Sequence, residues 1–144
     1  MMTSRRILLQ AFALGAAMTP RASFAAATSP SKDVMLYIIT PHDGQTVHGA
    51  FWCRFGLRNM GVSPAGQAVP RTGHHHLLID VKDPLDPNLP IPADSQHVHF
   101  GGGQTETHLE LSRGPHTLQL VLGDADHMLF DPPVVSRKIR IFVQ

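Results

Sequence analysis

Gly73-His74-His75-His76-Leu77-Leu78-Ile79-Asp80, read together with Gln96-His97-Val98-His99-Phe100-Gly101-Gly102-Gly103, decides how this chain is organised. Both stretches are short, carry β-branched or aromatic residues and end in turn-forming ones, which is how a β-strand reads. Side chains alternate faces along a strand, so His74, His76, Leu78 and Asp80 share one side and His75, Leu77, Ile79 and Val81 the other. The apolar run marks the second set as inward. His97 and His99 likewise share a face. An H-x-H pair on a strand aims two imidazoles in one direction, and imidazole is the commonest protein metal ligand. Nine of the ten histidines lie between His48 and His127.

Outward from these two stretches the hydrophobic period stays at two. Val34 to Thr40 reads as a first strand, followed by turn chemistry at Pro41-His42-Asp43-Gly44. Val47 to Leu57 is a second strand with Phe51, Cys53, Phe55 and Leu57 inward. Gly61 to Gly73 reads as loop, and His74 to Val81 is the third strand. Between Asp83 and Pro92 four prolines remove donors and fix φ, so regular structure is not expected there. Gln96 to Phe100, Thr105 to Leu111, His116 to Leu122 and Val134 to Val143 supply four more strands, with a tight turn at Ser112-Arg113-Gly114-Pro115. Seven short strands separated by turn signals predict an all-β fold, an antiparallel immunoglobulin-like β-sandwich. In that architecture the third and sixth strands are antiparallel neighbours. His74, His75 and His76 should then approach Gly123, Asp124, Asp126 and His127, while His116 lies at the far end near Val81. Gly101, Gly102 and Gly103 let the chain after His99 come close to a ligand or another backbone.

Residues 1–27 have the layout of an export signal. Arg5-Arg6 is a charged start, Ile7 to Met18 is apolar, and Ala22-Ser23-Phe24-Ala25-Ala26-Ala27 offers small residues for cleavage. The apolar run is about twelve residues, against the roughly 20 that a membrane-spanning helix needs. Ser4-Arg5-Arg6-Ile7-Leu8-Leu9 resembles a bacterial twin-arginine signal, departing from it at Leu8, where Phe is usual, and at Gln10, where Lys is frequent. The expectation is a signal peptide over 1–27, a single β-sandwich domain over 28–144, and a periplasmic or secreted product without a transmembrane anchor.

Removing residues 1–27 leaves nine basic residues against eleven acidic ones, a net charge of −2 with neutral histidines. No basic patch argues for nucleic acid. Cys53 is the only cysteine, so no internal disulfide forms, and its parity with Phe51 and Phe55 reads as a core thiol.

The His74 and His97 stretches, with Gln104-Thr105-Glu106, Gly114-Pro115-His116-Thr117-Leu118-Gln119-Leu120, Gly123-Asp124, His127 and Pro132-Pro133-Val134-Val135-Ser136, resemble an uncharacterised family of exported bacterial β-domains, a domain of unknown function. The resemblance runs from about Thr40 to Val143. It implies a small exported β-domain and no particular activity. His97-Val98-His99-Phe100-Gly101 is also similar to the H-V-H segment of copper–zinc superoxide dismutases. Here, however, Phe follows His99 directly, no Asp follows the glycine, and Cys53 has no partner.

The candidate metal ligands are His74, His75, His76, His97, His99 and His127, with copper or zinc as the ion. Scattered methionines and a single buried cysteine argue for Cu(II) or Zn(II) over Cu(I). His42, His48 and His108 read as surface residues, and His116 as a structural hydrogen-bonding group. Asp124 and Asp126 are a pair of carboxylates, which turn chemistry explains equally well. Two readings stay open: a non-catalytic metal binder of the envelope, or a structural module that meets an envelope protein or polymer and whose histidines brace loops as a polar network. A metal-dependent enzyme comes third, since no G-x-S-x-G or other nucleophile pattern occurs.

Overall fold

Alternating burial sets the first half of the sandwich. Phe51, Cys53 and Phe55 are buried while Trp52 and Arg54 are exposed, so one face of their strand packs inward. The computed structural model describes residues 33–144, and the export signal expected over 1–27 lies outside them. The strands are β1 (Met35–Thr40), β2 (Thr46–Val47), β3 (Phe51–Arg58), β4 (Gly61–Val62), β5 (Thr72–Ile79), β6 (His97–His99), β7 (Glu106–Leu109), β8 (Gly114–Gly123) and β9 (Ile139–Val143). One sheet has the order β1-β3-β7; the other runs β2-β9-β8-β5-β4, with β6 also pairing β5. The fold is all-β. Strands β1, β3 and β7 face β5, β8 and β9, which is the immunoglobulin-like arrangement.

The core lies between the two sheets. Leu36, Phe51, Cys53, Phe55 and Leu109 from the smaller sheet meet Leu77, Ile79, Leu118, Leu120, Leu122, Ile139, Ile141 and Val143 from the larger. Strand β5 runs antiparallel to β8, with His75 opposite Leu122 and Leu77 opposite Leu120. Its inward face is the one that parity assigns to His75, Leu77 and Ile79.

The outward face of β5 is covered too, and from Gly73 to Ile79 the strand is buried throughout. Leu78, Ile91 and Val121 form a second apolar cluster, with Val81, Leu85 and Leu129 against it. The proline-rich segment after β5 and the segment after β8 form this extra layer. Isolated bridges join Val121 to Val135 and Gly123 to Leu129. Ile91 N–H donates to the His127 carbonyl at 2.8 Å, tying the two segments together.

Four expectations change. The strand expected over Val47 to Leu57 divides into β2, which pairs in parallel with β9, and β3, which lies in the other sheet. Gly61 and Val62, expected in a loop, pair in parallel with Thr72 and Gly73. Parity with Leu77 and Ile79 predicts Val81 inward, but Asp80 adopts φ 58°, which breaks the alternation and turns Val81 into the outer cluster. The last strand starts at Ile139 rather than Val134, while residues 134–136 make only an isolated bridge to β8 through Val135 and Val121.

Candidate metal centre

The outward face of β5 carries His74, His76 and Leu78. Across the β8 ladder their partners are Gly123, Val121 and Gln119. On the other side β6 sets His99 opposite His76 and His97 opposite Leu78. Partners in an antiparallel ladder point the same way, so both H-x-H pairs face one side. After β8 a turn at residues 124–128 brings His127 over the same spot.

Four imidazoles converge there. Ring centroids are 4.9 Å apart for His74 and His76, 5.0 Å for His74 and His99, and 4.9 Å for His74 and His127. They are 5.0 Å apart for His76 and His99, 5.9 Å for His76 and His127, and 4.7 Å for His99 and His127. His76 Nε2 lies 3.0 Å from His74 Nε2, and His127 Nε2 lies 3.2 Å from His99 Nε2. Ligand atoms of His74, His99 and His127 all fall within 4.8 Å of one another. His74 and His76 are fully buried, while His99 and His127 form a half-buried rim.

Burial keeps the floor of the cluster neutral. His74 is lowered to about 4, first by burial and then by the neighbouring His127 and His99, with the Asp124 charge opposing. His76 is lowered to about 3 by burial and by His74, His99 and His127. His99 is lowered by burial and by His127. At neutral pH these three present lone pairs rather than positive charges. The Nδ1 atoms of His74 and His76 are buried without a partner, so the polar contact each ring makes is through Nε2, toward its neighbours.

Two glycines make room for the rings. A Cβ at Gly101 would stand 2.4 Å from His99 Cε1, and one at Gly123 would stand 2.9 Å from His76 Nε2. The glycine run at Gly101 predicts close approach after His99, whereas nothing in the sequence alone marks Gly123 for it.

The remaining candidates lie elsewhere. His75 faces the core: its Nδ1–H donates to the Gln104 carbonyl at 3.2 Å, and its ring packs on Phe55 at 5.2 Å. Burial lowers its pKa despite that hydrogen bond. His75 is therefore apart from the cluster, as its parity with Leu77 and Ile79 requires. His97 shares the cluster's face but not its position. It lies opposite Leu78, its Nδ1 contacts Asp94 Oδ1 at 2.8 Å, and it lines a groove with Leu85, Leu89 and Ile91.

His116 is a structural group. Nδ1–H donates to Asp80 Oδ2 at 2.7 Å and Nε2–H to the Ser112 carbonyl at 2.8 Å. Burial works against its charged form, yet the Asp80 and Ser112 acceptors raise its pKa. His108 is exposed, its ring 5.1 Å from that of Trp52 and tilted by 56°; His42 and His48 are exposed. Cys53 is a core thiol pushed up to about 12 by burial, and so protonated. Among the described residues no helix is long and apolar enough to cross a membrane.

Fibronectin(III)-like modules of Clostridium thermocellum CbhA are similar to this chain at 12% identity, covering 76% of it and 96% of theirs, with a TM-score of 0.43. No curated protein matches the sequence. Residues 53–144 match a family model described as a domain of unknown function, and the chain belongs to that family, DUF4399.

Proposed function

We propose that this chain is an exported, non-catalytic envelope domain that holds one copper or zinc ion among His74, His76, His99 and His127. The observation that carries this reading is the convergence of four imidazoles, three of them kept neutral at pH 7, with two Nε2–Nε2 pairs at 3.0 and 3.2 Å. Imidazole nitrogen suits copper and zinc, and the set contains no thiolate that would favour Cu(I). Four protein ligands would fill a tetrahedral shell, the pattern of structural rather than catalytic zinc sites. The signal-like residues 1–27 support export to the periplasm.

A second reading has its own support. His75, His97 and His116 each hold a loop through a backbone carbonyl or a carboxylate. The four-histidine cluster, on that reading, is one more brace in a structural module that meets an envelope protein or polymer. Metal analysis of tag-free protein purified from the periplasm separates the two. About one equivalent of copper or zinc, lost in a His74→Ala, His76→Ala variant, supports the metal reading. Metal-free protein whose melting temperature ignores added Cu(II) and Zn(II) supports the brace.

A further inference from the structure

We propose that the outer face of the smaller sheet binds a glycan, a linear chain of β-linked N-acetylhexosamines, by stacking sugar rings on Trp52 and Tyr37. No ion takes part, so this site and the metal centre stand or fail separately.

Strands β1, β3 and β7 turn alternate residues outward, and partners across a ladder share a face. Tyr37 pairs with Gly56, Trp52 with His108, and Arg54 with Glu106. The chain's one tryptophan and its one tyrosine therefore stand on the same side. Trp52 is 48% exposed and Tyr37 37%, and Met35 and Ile39 of β1 are exposed with them. Isolated apolar side chains on a surface are ordinary; a group of them on one sheet face marks a contact surface.

Both rings are set in place. A Cβ on Gly56 would collide with three adjacent ring atoms of Tyr37, Cζ, Cε1 and Cε2. The phenol ring therefore lies across that glycine, one face against the backbone and the other toward solvent. Trp52 is flanked by the Arg54 guanidinium, 5.7 Å from its ring centroid, and by the His108 ring at 5.1 Å. Trp52 and Gly56 lie four residues apart on β3, which separates the two platforms by about 13 Å along the strand. Between them Arg54 Nε donates to Glu106 Oε2 at 2.9 Å. Both of these side chains are about half exposed, and the bond leaves the other guanidinium N–H groups and the second carboxylate oxygen for a ligand.

A ring, an ion pair and a second ring in a row select the partner. An apolar protein face or a lipid surface would strip water from Arg54 and Glu106 without replacing their hydrogen bonds, which is costly. A nucleic acid needs unpaired cations; here Glu106 neutralises Arg54, and Arg58 is the one other cation on these three strands. An uncharged pyranose meets each requirement. Its C–H face is flat and apolar, and its rim of hydroxyls both donates and accepts. A β-linked chain is a flat ribbon, which suits a sheet face. Its acetamido methyl groups give Ile39 and Met35 apolar partners that a plain glucan lacks.

The test titrates tag-free protein with chitohexaose and, in parallel, with cellohexaose, following backbone amide shifts by nuclear magnetic resonance. Trp52 emission is a second readout in the wild type, since no other tryptophan contributes. Chitohexaose should shift amides of β1, β3 and β7 and change the emission, and cellohexaose should bind more weakly. Trp52→Ala and Tyr37→Ala should each weaken chitohexaose about tenfold, as loss of a central aromatic contact does; thermal melting confirms that each variant is folded. Phe142→Ala removes an exposed ring from the larger sheet and should leave the affinity unchanged. No shift with chitohexaose, or binding that survives both ring variants, would overturn the glycan site. Equal affinity for cellohexaose would overturn the N-acetyl preference. A dimer in sedimentation that Trp52→Ala dissolves would assign the face to a second copy of this chain and overturn the proposal as well.

Discussion

His74 and Gly123 face each other across the β5–β8 ladder, and the space left by the missing side chain at Gly123 is taken by the ring of His76. A Cβ there would stand 2.9 Å from His76 Nε2 and 3.3 Å from Ile91 Cδ1. Gly123→Ala should therefore fold, since the atoms that must yield are side-chain ends. The expected cost to stability is about 1 kcal/mol. Ion affinity should fall roughly 10- to 100-fold, as when a supporting group around a metal site is changed. Thermal melting of the metal-free protein and a Zn(II) titration read the two effects separately; unchanged affinity would argue that His76 is not a ligand.

The two halves of the cluster should contribute together. Cu(II) or Zn(II) should raise the melting temperature of the wild type, because a ligand that binds only the native state stabilises it by mass action. His74→Ala, His76→Ala removes the buried floor and His99→Ala, His127→Ala removes the rim, so each double variant should lose the shift. His75→Ala should keep it, because that ring faces Phe55. A shift that survives both double variants would place the ion elsewhere.

How much of this was legible in the sequence differs from residue to residue. Parity puts His75 on the opposite face from His74 and His76, since one strand cannot present neighbours to one face, yet the candidate ligand set kept all three. The β5–β8 pairing followed from the sandwich order and put His127 near His74. The outer layer was not legible: the proline-rich segment has no period, so nothing local says that Ile91 packs on Val121. The positive φ at Asp80 also escaped, because it depends on the carboxylate reaching Thr117 N–H at 2.7 Å, a contact 37 positions away in sequence. His97 and His99 look equivalent as letters. Only the register, which sets His99 against His76 and His97 against Leu78, tells them apart.

Asp80 and His116 form a second test, independent of any ion. Asp80 accepts from His116 at 2.7 Å and from Thr117 N–H at 2.7 Å, and these bonds lower its pKa against the opposing effect of burial. Asp80→Ala leaves His116 and a strand N–H without their acceptor and should cost about 1–3 kcal/mol. Urea unfolding would measure it. Metal affinity should stay at the wild-type value, since the pair sits at the opposite end of β5 from the cluster; a matching loss of affinity would contradict that separation.

Export can be tested on residues 1–27 alone. Changing Arg5-Arg6 to Lys-Lys should block periplasmic accumulation if the twin-arginine route carries the chain. Fractionation of cells expressing the two forms reads the result. Normal accumulation in a strain lacking the twin-arginine translocase would assign the protein to the general secretory route.

Acid should destabilise the metal-free protein before its carboxylates titrate. His74 at about 4 and His76 at about 3 lie below their unfolded value of 6.5, and His75 and His99 are lowered as well. Between the unfolded and folded values the unfolded chain binds more protons, so the stability these groups contribute is complete above about pH 6.5 and is lost as pH falls toward 4. Each such group adds a slope of about 1.4 kcal/mol per pH unit within that window. His116 works in the opposite sense. Its raised pKa gives stability that is complete below 6.5 and disappears as pH rises through its folded value. His116→Ala should therefore remove a gain in stability on acidification between its folded pKa and pH 6.5, while His74→Ala, His76→Ala should flatten the acid loss below pH 6.5. Bound copper or zinc should leave over the same acid range, because its ligands must be deprotonated. Melting curves from pH 8 to pH 5, with and without chelator, check both effects. A flat profile that ignores the chelator would contradict the buried neutral histidines and the metal reading together, leaving the structural module as the better account of the chain.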